Sequence, residues 1–244
     1  MRVTLAARAM ASSSAAAVAA ANGRRRVIRG VVFDMDGTLI HPSIDFAKMK
    51  RTIGLSEKDK DILGIVNSWD APRREWAFQE IHRIEIEALE RMRAFDDTDE
   101  VCRQLDALGI PRALVTRNMQ ASVAHFHATT FGLSPFQPAL CRETFHAHKP
   151  SPEPLLHIAD VWGIHPSELA MVGDSPKDDV VSGQRAGALT ILLSHECTPA
   201  VDPTVEEQRP HFTVGSLTEV LQVLQKHCSL EPPPAKKTTV VQAA

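Results

Sequence analysis

The sequence predicts an α/β protein, built on a parallel sheet with helices on both faces and carrying a small all-helical insert. Two observations predict the sheet: short apolar runs alternate with helical stretches, and the runs are continuously apolar rather than alternating. Continuous apolar runs are typical of parallel strands that are buried on both faces. A third observation predicts the insert, because residues 41–95 interrupt the alternation with helix-like sequence alone.

Five runs are strand candidates, the last of them the weakest: Val27–Phe33, which is broken only by Arg29 and Gly30, Ala113–Val115, Leu169–Val172, Leu189–Leu193 and Pro138–Cys141. The helices predicted between them are Thr98–Leu108, Met119–Ala128, Pro152–Trp162 and Lys177–Ala186. Gly109 and Gly187 stand where helix C-caps are expected, since glycine readily adopts the left-handed conformation that ends a helix. Strands alternating with helices favour a parallel sheet.

The insert contains one strongly periodic helix, predicted over Arg73–Arg93. Apolar residues recur along it every three or four positions, at Phe78, Ile81, Ile84, Ala88 and Met92. That spacing places them on one face of a helix. Five polar or aromatic residues of the insert are candidates to face a site, although ordinary packing or surface positions are commoner for such residues: Trp69, Arg73, Arg74, Trp76 and His82.

Composition restricts the function. Of the 244 residues, 43% are hydrophobic and 23% charged, with a net charge of −3, so the sequence does not predict a nucleic-acid binder. No run of 18 apolar residues exists, so we predict no membrane span. The four cysteines are far apart and are predicted to be free thiols.

The two ends differ from the body. Residues 1–26 are rich in arginine, alanine and serine, and no acidic residue precedes Asp34. This composition is typical of a transit peptide, for which a chloroplast destination is favoured over a mitochondrial one; the alternative is a disordered extension of a cytoplasmic protein. Residues 229–244 contain three consecutive prolines and are predicted to be a flexible tail. The core is then predicted at 27–40 and 96–228, and the insert at 41–95.

The first chemical motif is VVFDMDGTLI, in which Asp34 and Asp36 follow a buried strand. Residues two apart near a strand end can point to the same side, and the carboxyl end of a parallel strand is where open α/β sheets bind ligands. Two adjacent carboxylates are stabilised by a cation, or by a proton held on one of them. The sequence therefore predicts an acidic site at this strand end, in which Asp34 and Asp36 are candidate catalytic residues and candidate metal ligands.

Three further motifs follow at other predicted strand ends or turns. GDSPKDD supplies Asp174 with Asp178 or Asp179, which are oxygen ligands suited to Mg²⁺. In ALVTRN, the hydroxyl of Thr116 and the backbone amides near it are candidate phosphate ligands, together with the side chain of Arg117. In HKPSPEP, Lys149 is a candidate to keep a nucleophilic carboxylate ionised and to balance phosphate charge.

The four motifs, in this order, resemble those of the haloacid dehalogenase superfamily of aspartate-nucleophile hydrolases, over roughly Val27 to Leu193. The resemblance implies a Rossmann-like core with a helical cap inserted after the first motif. It implies that Asp34 attacks phosphorus and that Asp36 acts as general acid and then base. It also implies that Thr116 and Lys149 bind the phosphoryl group and that Asp174 binds Mg²⁺. The last metal-binding acid of the family stands four or five residues after the Asp174 position. The distance from Asp174 favours Asp178, whereas the distance back from the following Gly183 and Gly187 favours Asp179, so both remain candidates.

The expected reaction is Mg²⁺-dependent hydrolysis of a small phosphorylated metabolite through an aspartyl-phosphate. Dehalogenation is disfavoured because dehalogenases of this superfamily lack an acid at the position of Asp36. One alternative is a sugar phosphomutase, which shares the DMDGT motif and a helical cap. The other is a non-catalytic binding protein on the same fold. Substrate choice is expected to lie with the cap.

Overall fold

The computed structural model describes residues 25–59, 61–195 and 198–235. The strands are β1 (Arg26–Ile28), β2 (Gly30–Phe33), β3 (Arg112–Val115), β4 (Ala139–Leu140), β5 (Leu169–Gly173), β6 (Leu189–Leu193), β7 (Phe212–Val214) and β8 (Cys228–Leu230). The helices are α1 (Phe46–Ile53), α2 (Ile62–Asn67), α3 (Ala71–Leu89), α4 (Thr98–Ala107), α5 (Gln120–His125), α6 (Glu153–Trp162), α7 (Val181–Ala186) and α8 (Leu217–His227). Two one-turn π-helical segments, Phe126–Thr130 and Pro176–Val180, lie next to α5 and α7.

Six strands form a parallel sheet in the order β4-β3-β2-β5-β6-β7, which confirms the predicted α/β fold class. The central strand β2 has β3 on one side and β5 on the other. After β2 the chain adds β3 and β4 on one side, and it then crosses over to add β5, β6 and β7 on the other. Phe33 pairs with Leu114 and with Val172 at the carboxyl end of β2. Ligands of open α/β sheets bind at such a switch point.

The apolar run Val27–Phe33, predicted as a single strand, is two strands in two sheets. β1 pairs in parallel with β8 in a separate two-stranded sheet, while β2 enters the main sheet. Arg29 makes the break: its amide donates to the Glu168 carbonyl at 2.8 Å, and its guanidinium pairs with the carboxylates of Glu168 and Glu231. The prediction failed because an apolar run does not show which sheet each half will join.

The C-terminal region is more ordered than predicted. Ser229 and Leu230, which the sequence places in the flexible tail, pair with Val27 and Ile28 in the small sheet. The Pro232 carbonyl also accepts a hydrogen bond from Arg29 at 2.7 Å. The strand β7 and the helix α8 were not predicted. Residues 1–24 and 236–244 lie outside the described residues, and so do almost all of the predicted transit peptide and the end of the tail.

The insert consists of α1, α2 and α3, which pack around a small apolar cluster of their own. Each helix begins at an aspartate, Asp45, Asp61 or Asp70, whose carboxylate accepts a hydrogen bond from a first-turn amide, as good N-caps do. The insert returns to the core beside the segment it left, where Ile40 and Ala94 form an antiparallel bridge. The described residues include no helix with the length and apolar character needed to cross a membrane.

Candidate active site

A cavity of about 570 Å³ lies between the carboxyl ends of β2, β3 and β5 and the helical insert. Its core side contains acidic and hydroxyl residues that follow these strands, together with a lysine from the segment between β4 and α6: Asp34, Asp36, Thr116, Asp174, Asp179 and Lys149. Its insert side is mostly apolar, with Ile44, Met49, Ile62, Leu63 and Ile81. The cavity therefore has a charged floor on the core and, on the insert, a roof that is mostly apolar but includes the buried carboxylate of Glu85.

Asp34 and Lys149 form the centre of the floor. The Asp34 amide donates to the Val172 carbonyl at 2.9 Å, which fixes the residue directly after β2. The Lys149 side chain is almost fully buried, and its ammonium contacts the carboxylates of Asp34 and, at 2.7 Å, Asp179. Burial raises the pKa of Asp34 to about 6, although Lys149 opposes the shift. Burial disfavours the Lys149 ammonium, but the charges of Asp179 and Asp34 more than offset this and raise its pKa above the ordinary value.

Asp36 faces the same cavity and is held by Asn118. The Asn118 side-chain amide donates to the Asp36 carboxylate, and the Asn118 backbone amide donates to the Thr116 hydroxyl at 3.1 Å. Burial raises the pKa of Asp36 to about 6, and nearby Asp174 and Glu85 add to the shift against the hydrogen bond from Asn118. A carboxyl group with a pKa near neutrality can both donate and accept a proton at physiological pH.

Three carboxylates converge on one point of the floor. One oxygen from each of Asp34, Asp174 and Asp179 lies within 4.8 Å of the other two. Burial raises the pKa values of Asp174 and Asp179 to about 7, with like charges contributing in each case. Carboxylate oxygens crowded in this way are the ligands that Mg²⁺ prefers, and a bound cation would relieve their repulsion. The residues present therefore fit a magnesium ion.

The π-helical turn Pro176–Val180 separates the roles of the two adjacent aspartates. Asp179 is 2% exposed, accepts a hydrogen bond from the Ser175 amide at 2.9 Å and faces Lys149. Asp178 is half-buried and turns towards Ser175 and Arg117. A π-turn accommodates one residue more than an α-turn. The extra residue explains why the spacing from Asp174 favoured Asp178, whereas the spacing from the following glycines favoured Asp179.

Gly37 allows Asp174 to approach the first motif. Its φ is +72°, a conformation that other residues rarely adopt, and a Cβ atom there would lie 2.3 Å from an Asp174 carboxylate oxygen. The Gly37 carbonyl also lies 3.0 Å from Nε2 of His195. A glycine is therefore required at this position by both backbone conformation and space.

Comparison with known proteins shows the family of the chain. Residues 42–193 match the family described as haloacid dehalogenase-like hydrolase. The chain belongs to this family. It is 40% identical to a haloacid dehalogenase-like hydrolase domain-containing protein of Arabidopsis thaliana, over 84% of this chain and 87% of that one. A phosphoglycolate phosphatase of Neisseria meningitidis is 33% identical, over 54% of this chain and 57% of its own.

The fold of this haloacid dehalogenase-like hydrolase also has solved counterparts. A crystal structure described as a predicted phosphoglycolate phosphatase from Haemophilus somnus superposes with a TM-score of 0.66. That match covers 81% of this chain and 98% of the other at 18% identity, so it concerns the fold alone. In the family's terms, the insert of α1 to α3 is the cap.

Arg117 stands apart from the other predicted site residues of the hydrolase. Its side chain is 45% exposed, and its guanidinium lies 3.8 Å from Asp178 and 3.9 Å from Asp61 of the cap. It lines the mouth of the cavity together with Asp178. The remaining predicted residues do come together on the floor, but Arg117 and Asp178 form its rim.

Sequence reasoning missed two features of the hydrolase's site. One is the Asn118 side chain, which was not among the predicted site residues; its position two residues after Thr116 was the available signal. The other is an ion pair between Glu85 of α3 and Arg142, two residues after β4, with both nitrogen–oxygen distances 3.0 Å. No local motif marks this pair, because its members are 57 positions apart. The five polar or aromatic cap candidates are absent from the cavity lining as far as the structure describes it.

Proposed function

We propose that the protein is a Mg²⁺-dependent phosphomonoester hydrolase that acts through an aspartyl-phosphate on Asp34. The observation that carries the proposal is the contact of buried Lys149 with Asp34 and Asp179, beside Asp36 on the same floor. An ammonium in this position keeps Asp34 ionised as a nucleophile and balances the charge of an incoming phosphoryl group. Membership of a hydrolase family and similarity to a phosphoglycolate phosphatase support it.

The reaction has two steps. In the first, a carboxylate oxygen of Asp34 attacks phosphorus, the bond from phosphorus to the alcohol oxygen breaks, and Asp36 gives its proton to that oxygen. In the second, Asp36 takes a proton from water, the water oxygen attacks phosphorus, and the phosphorus–oxygen bond to Asp34 breaks. Inorganic phosphate leaves and Asp34 is regenerated. A pKa of about 6 suits Asp36 to both proton transfers.

Asp34, Asp174 and Asp179 would hold Mg²⁺, which neutralises negative charge on the transferring group when bound. We assign the last ligand position to Asp179 rather than Asp178, because Asp179 faces the other two carboxylates. Thr116 and Lys149 would hold the phosphoryl oxygens. Arg117, at the mouth of the cavity, lies too far out for that role.

The substrate class that we propose is a small phosphorylated metabolite, because the phosphatases to which the chain is similar are named for one. We further propose a plastid location, which the composition of residues 1–26 and the similarity to a plant protein both support.

Phosphate release from a panel of phosphomonoesters, measured with Mg²⁺ and with a chelator, tests the proposal. We expect release only with Mg²⁺, and rapid acid quenching followed by mass spectrometry should find one phosphoryl group on the peptide containing Asp34. Release that continues in the chelator would contradict the metal requirement. A rearranged phosphate ester in place of free phosphate would indicate a mutase instead.

A further inference from the structure

An ion pair joins the cap to the core inside the cavity. Glu85, on the cap helix α3, is only 5% exposed, and both of its carboxylate oxygens accept hydrogen bonds from the Arg142 guanidinium at 3.0 Å. Arg142 is itself partly buried. Parallel bonds of this kind are the strong form of a carboxylate–guanidinium pair. The pair is therefore a fixed part of the cavity wall.

The pair lies on the side of the cavity where the leaving alcohol must sit. The Arg142 amide donates to the Asn118 carbonyl at 3.0 Å, and the Asn118 side chain donates to Asp36, the proposed general acid. Both members of the pair line the same cavity as Asp34 and Asp36. Beyond the oxygen that Asp36 protonates, the leaving group consequently meets the Glu85–Arg142 pair and the apolar residues of the roof.

A buried pair of this kind discriminates between leaving groups by their charge. A substrate carboxylate would compete with Glu85 for Arg142 and leave the buried Glu85 charge unpaired, which is costly. A hydroxyl group can instead donate to a remaining lone pair of Glu85 and accept from a remaining Arg142 N–H, without breaking the pair. Of the other three cations of the lining, Lys149 is paired with Asp34 and Asp179 on the floor. Lys50 and Arg117 make only exposed or long contacts and are screened by solvent.

We propose that Glu85 and Arg142 determine specificity by selecting phosphomonoesters whose leaving alcohol carries further neutral hydroxyl groups, against those that carry a carboxylate. The inference rests on the proposed phosphatase function and names its substrate class. A cavity of about 570 Å³ has room for a polyol or sugar-sized leaving group. The expected preference differs from the phosphoglycolate named for the similar phosphatase.

Three phosphate esters of a three-carbon alcohol test the inference directly. Glycerol 1-phosphate ends in a hydroxymethyl group, 3-phosphoglycerate carries a carboxylate at the same position, and n-propyl phosphate has no second polar group. We expect kcat/KM for glycerol 1-phosphate to exceed that for each of the others by about tenfold or more, since a site built to hydrogen-bond a hydroxyl rejects analogues that lack it. In Glu85→Gln, the ratio of kcat/KM for glycerol 1-phosphate to kcat/KM for 3-phosphoglycerate should fall at least about tenfold, because Arg142 is released to bind the carboxylate.

Glu87→Gln is the matched control, because Glu87 lies on the same helix and pairs with Lys48 and Arg83 at the surface. Its ratio of kcat/KM for glycerol 1-phosphate to kcat/KM for 3-phosphoglycerate should equal that of the unmodified enzyme.

A preference of the unmodified enzyme for 3-phosphoglycerate would overturn the inference, and this result does not depend on whether Glu85→Gln folds. An unchanged ratio in folded Glu85→Gln would overturn it as well. Mg²⁺-dependent release from esters outside this set, with no preference within it, would overturn the inference and leave the phosphatase function standing. Failure of every phosphomonoester would remove both.

Discussion

The buried charges on the floor and on the roof of the cavity are paired to different extents. On the floor, three carboxylates converge beside one buried ammonium: Lys149 contacts Asp34 and Asp179, and Asp174 lies close to both carboxylates. The pKa values of all three carboxyl groups are raised. On the roof, the single buried carboxylate of Glu85 has a guanidinium to itself. The floor is therefore incomplete without a cation, in the sense that its buried carboxylates outnumber its buried ammonium. The buried carboxylate of the roof, in contrast, is already paired. This difference suits the floor to chemistry and the roof to selection.

The largest effect is expected from Asp34→Asn. An amide is a far weaker nucleophile than a carboxylate, so phosphate release should fall by about a thousandfold or more. The variant should fold normally, since it removes one of several crowded negative charges. Phosphate release measured with saturating Mg²⁺, together with a circular dichroism spectrum, checks both parts.

Asp160→Asn is a control for this substitution, because Asp160 is an exposed residue on α6. It should retain full activity. Substantial hydrolysis by Asp34→Asn would show that the floor works by a route other than an aspartyl-phosphate, for example by direct attack of water.

Substitution of the two adjacent aspartates of the π-turn should change activity to extents that differ by about two orders of magnitude. Asp179→Asn removes a carboxylate that faces Asp34 and Asp174, so activity should fall by about a hundredfold and the Mg²⁺ concentration for half-activity should rise. Asp178→Asn changes only the rim, and activity should stay within about threefold. Magnesium titrations of the two variants measure the difference. The reverse order would mean that Asp178, and not Asp179, is the metal ligand.

Gly37→Ala tests how closely the first motif must approach Asp174. The new Cβ would lie 2.3 Å from an Asp174 oxygen, so Asp174 must move, and we expect activity to fall about tenfold with a higher Mg²⁺ requirement. Gly163→Ala separates this clash from backbone strain, because Gly163 has φ +66° and nothing within 4 Å of its would-be Cβ. It should lose about 1 kcal/mol of stability and keep its activity. Equal activities in the two variants would contradict the steric argument.

The floor was predictable because its residues are set by local sequence. Asp34, Thr116 and Asp174 each directly follow a short apolar strand, and parallel strands bring their carboxyl ends to one edge. The choice between Asp178 and Asp179 was not predictable, since it depends on a π-turn that adds one residue. Counting from either end of the motif gave a different aspartate, and only the turn geometry reconciles the two counts.

The roof was not predictable from local sequence. Glu85 lies on a helix whose apolar period was recognised, but its partner Arg142 comes from a loop 57 positions away. The break between β1 and β2 has the same origin, because Arg29 is held by Glu168 and Glu231, both distant in the chain. Ion pairs between distant segments leave no periodic or motif signal, so the features that we expect to set specificity were the ones that sequence reasoning missed.

The smallest expected effect is on stability, and it tests directly whether the floor is incomplete without a cation. A carboxyl group whose folded pKa is raised stabilises the fold below its unfolded pKa, and that contribution is lost as pH rises through the folded value. For Asp174 the folded pKa is about 7, so without Mg²⁺ the Asp174→Asn variant should be more stable than the parent at pH 8. The gain should be on the order of 1–3 kcal/mol, or several degrees in Tm, and should shrink by pH 5.

With Mg²⁺ at pH 8 the order of stability of the two proteins should reverse, because only the parent retains the full ligand set. Thermal unfolding of both proteins at the two pH values, with and without Mg²⁺, measures this. If Asp174→Asn were the less stable protein at pH 8 without Mg²⁺, burial beside like charges would not destabilise the Asp174 carboxylate, and the contrast between floor and roof would fail.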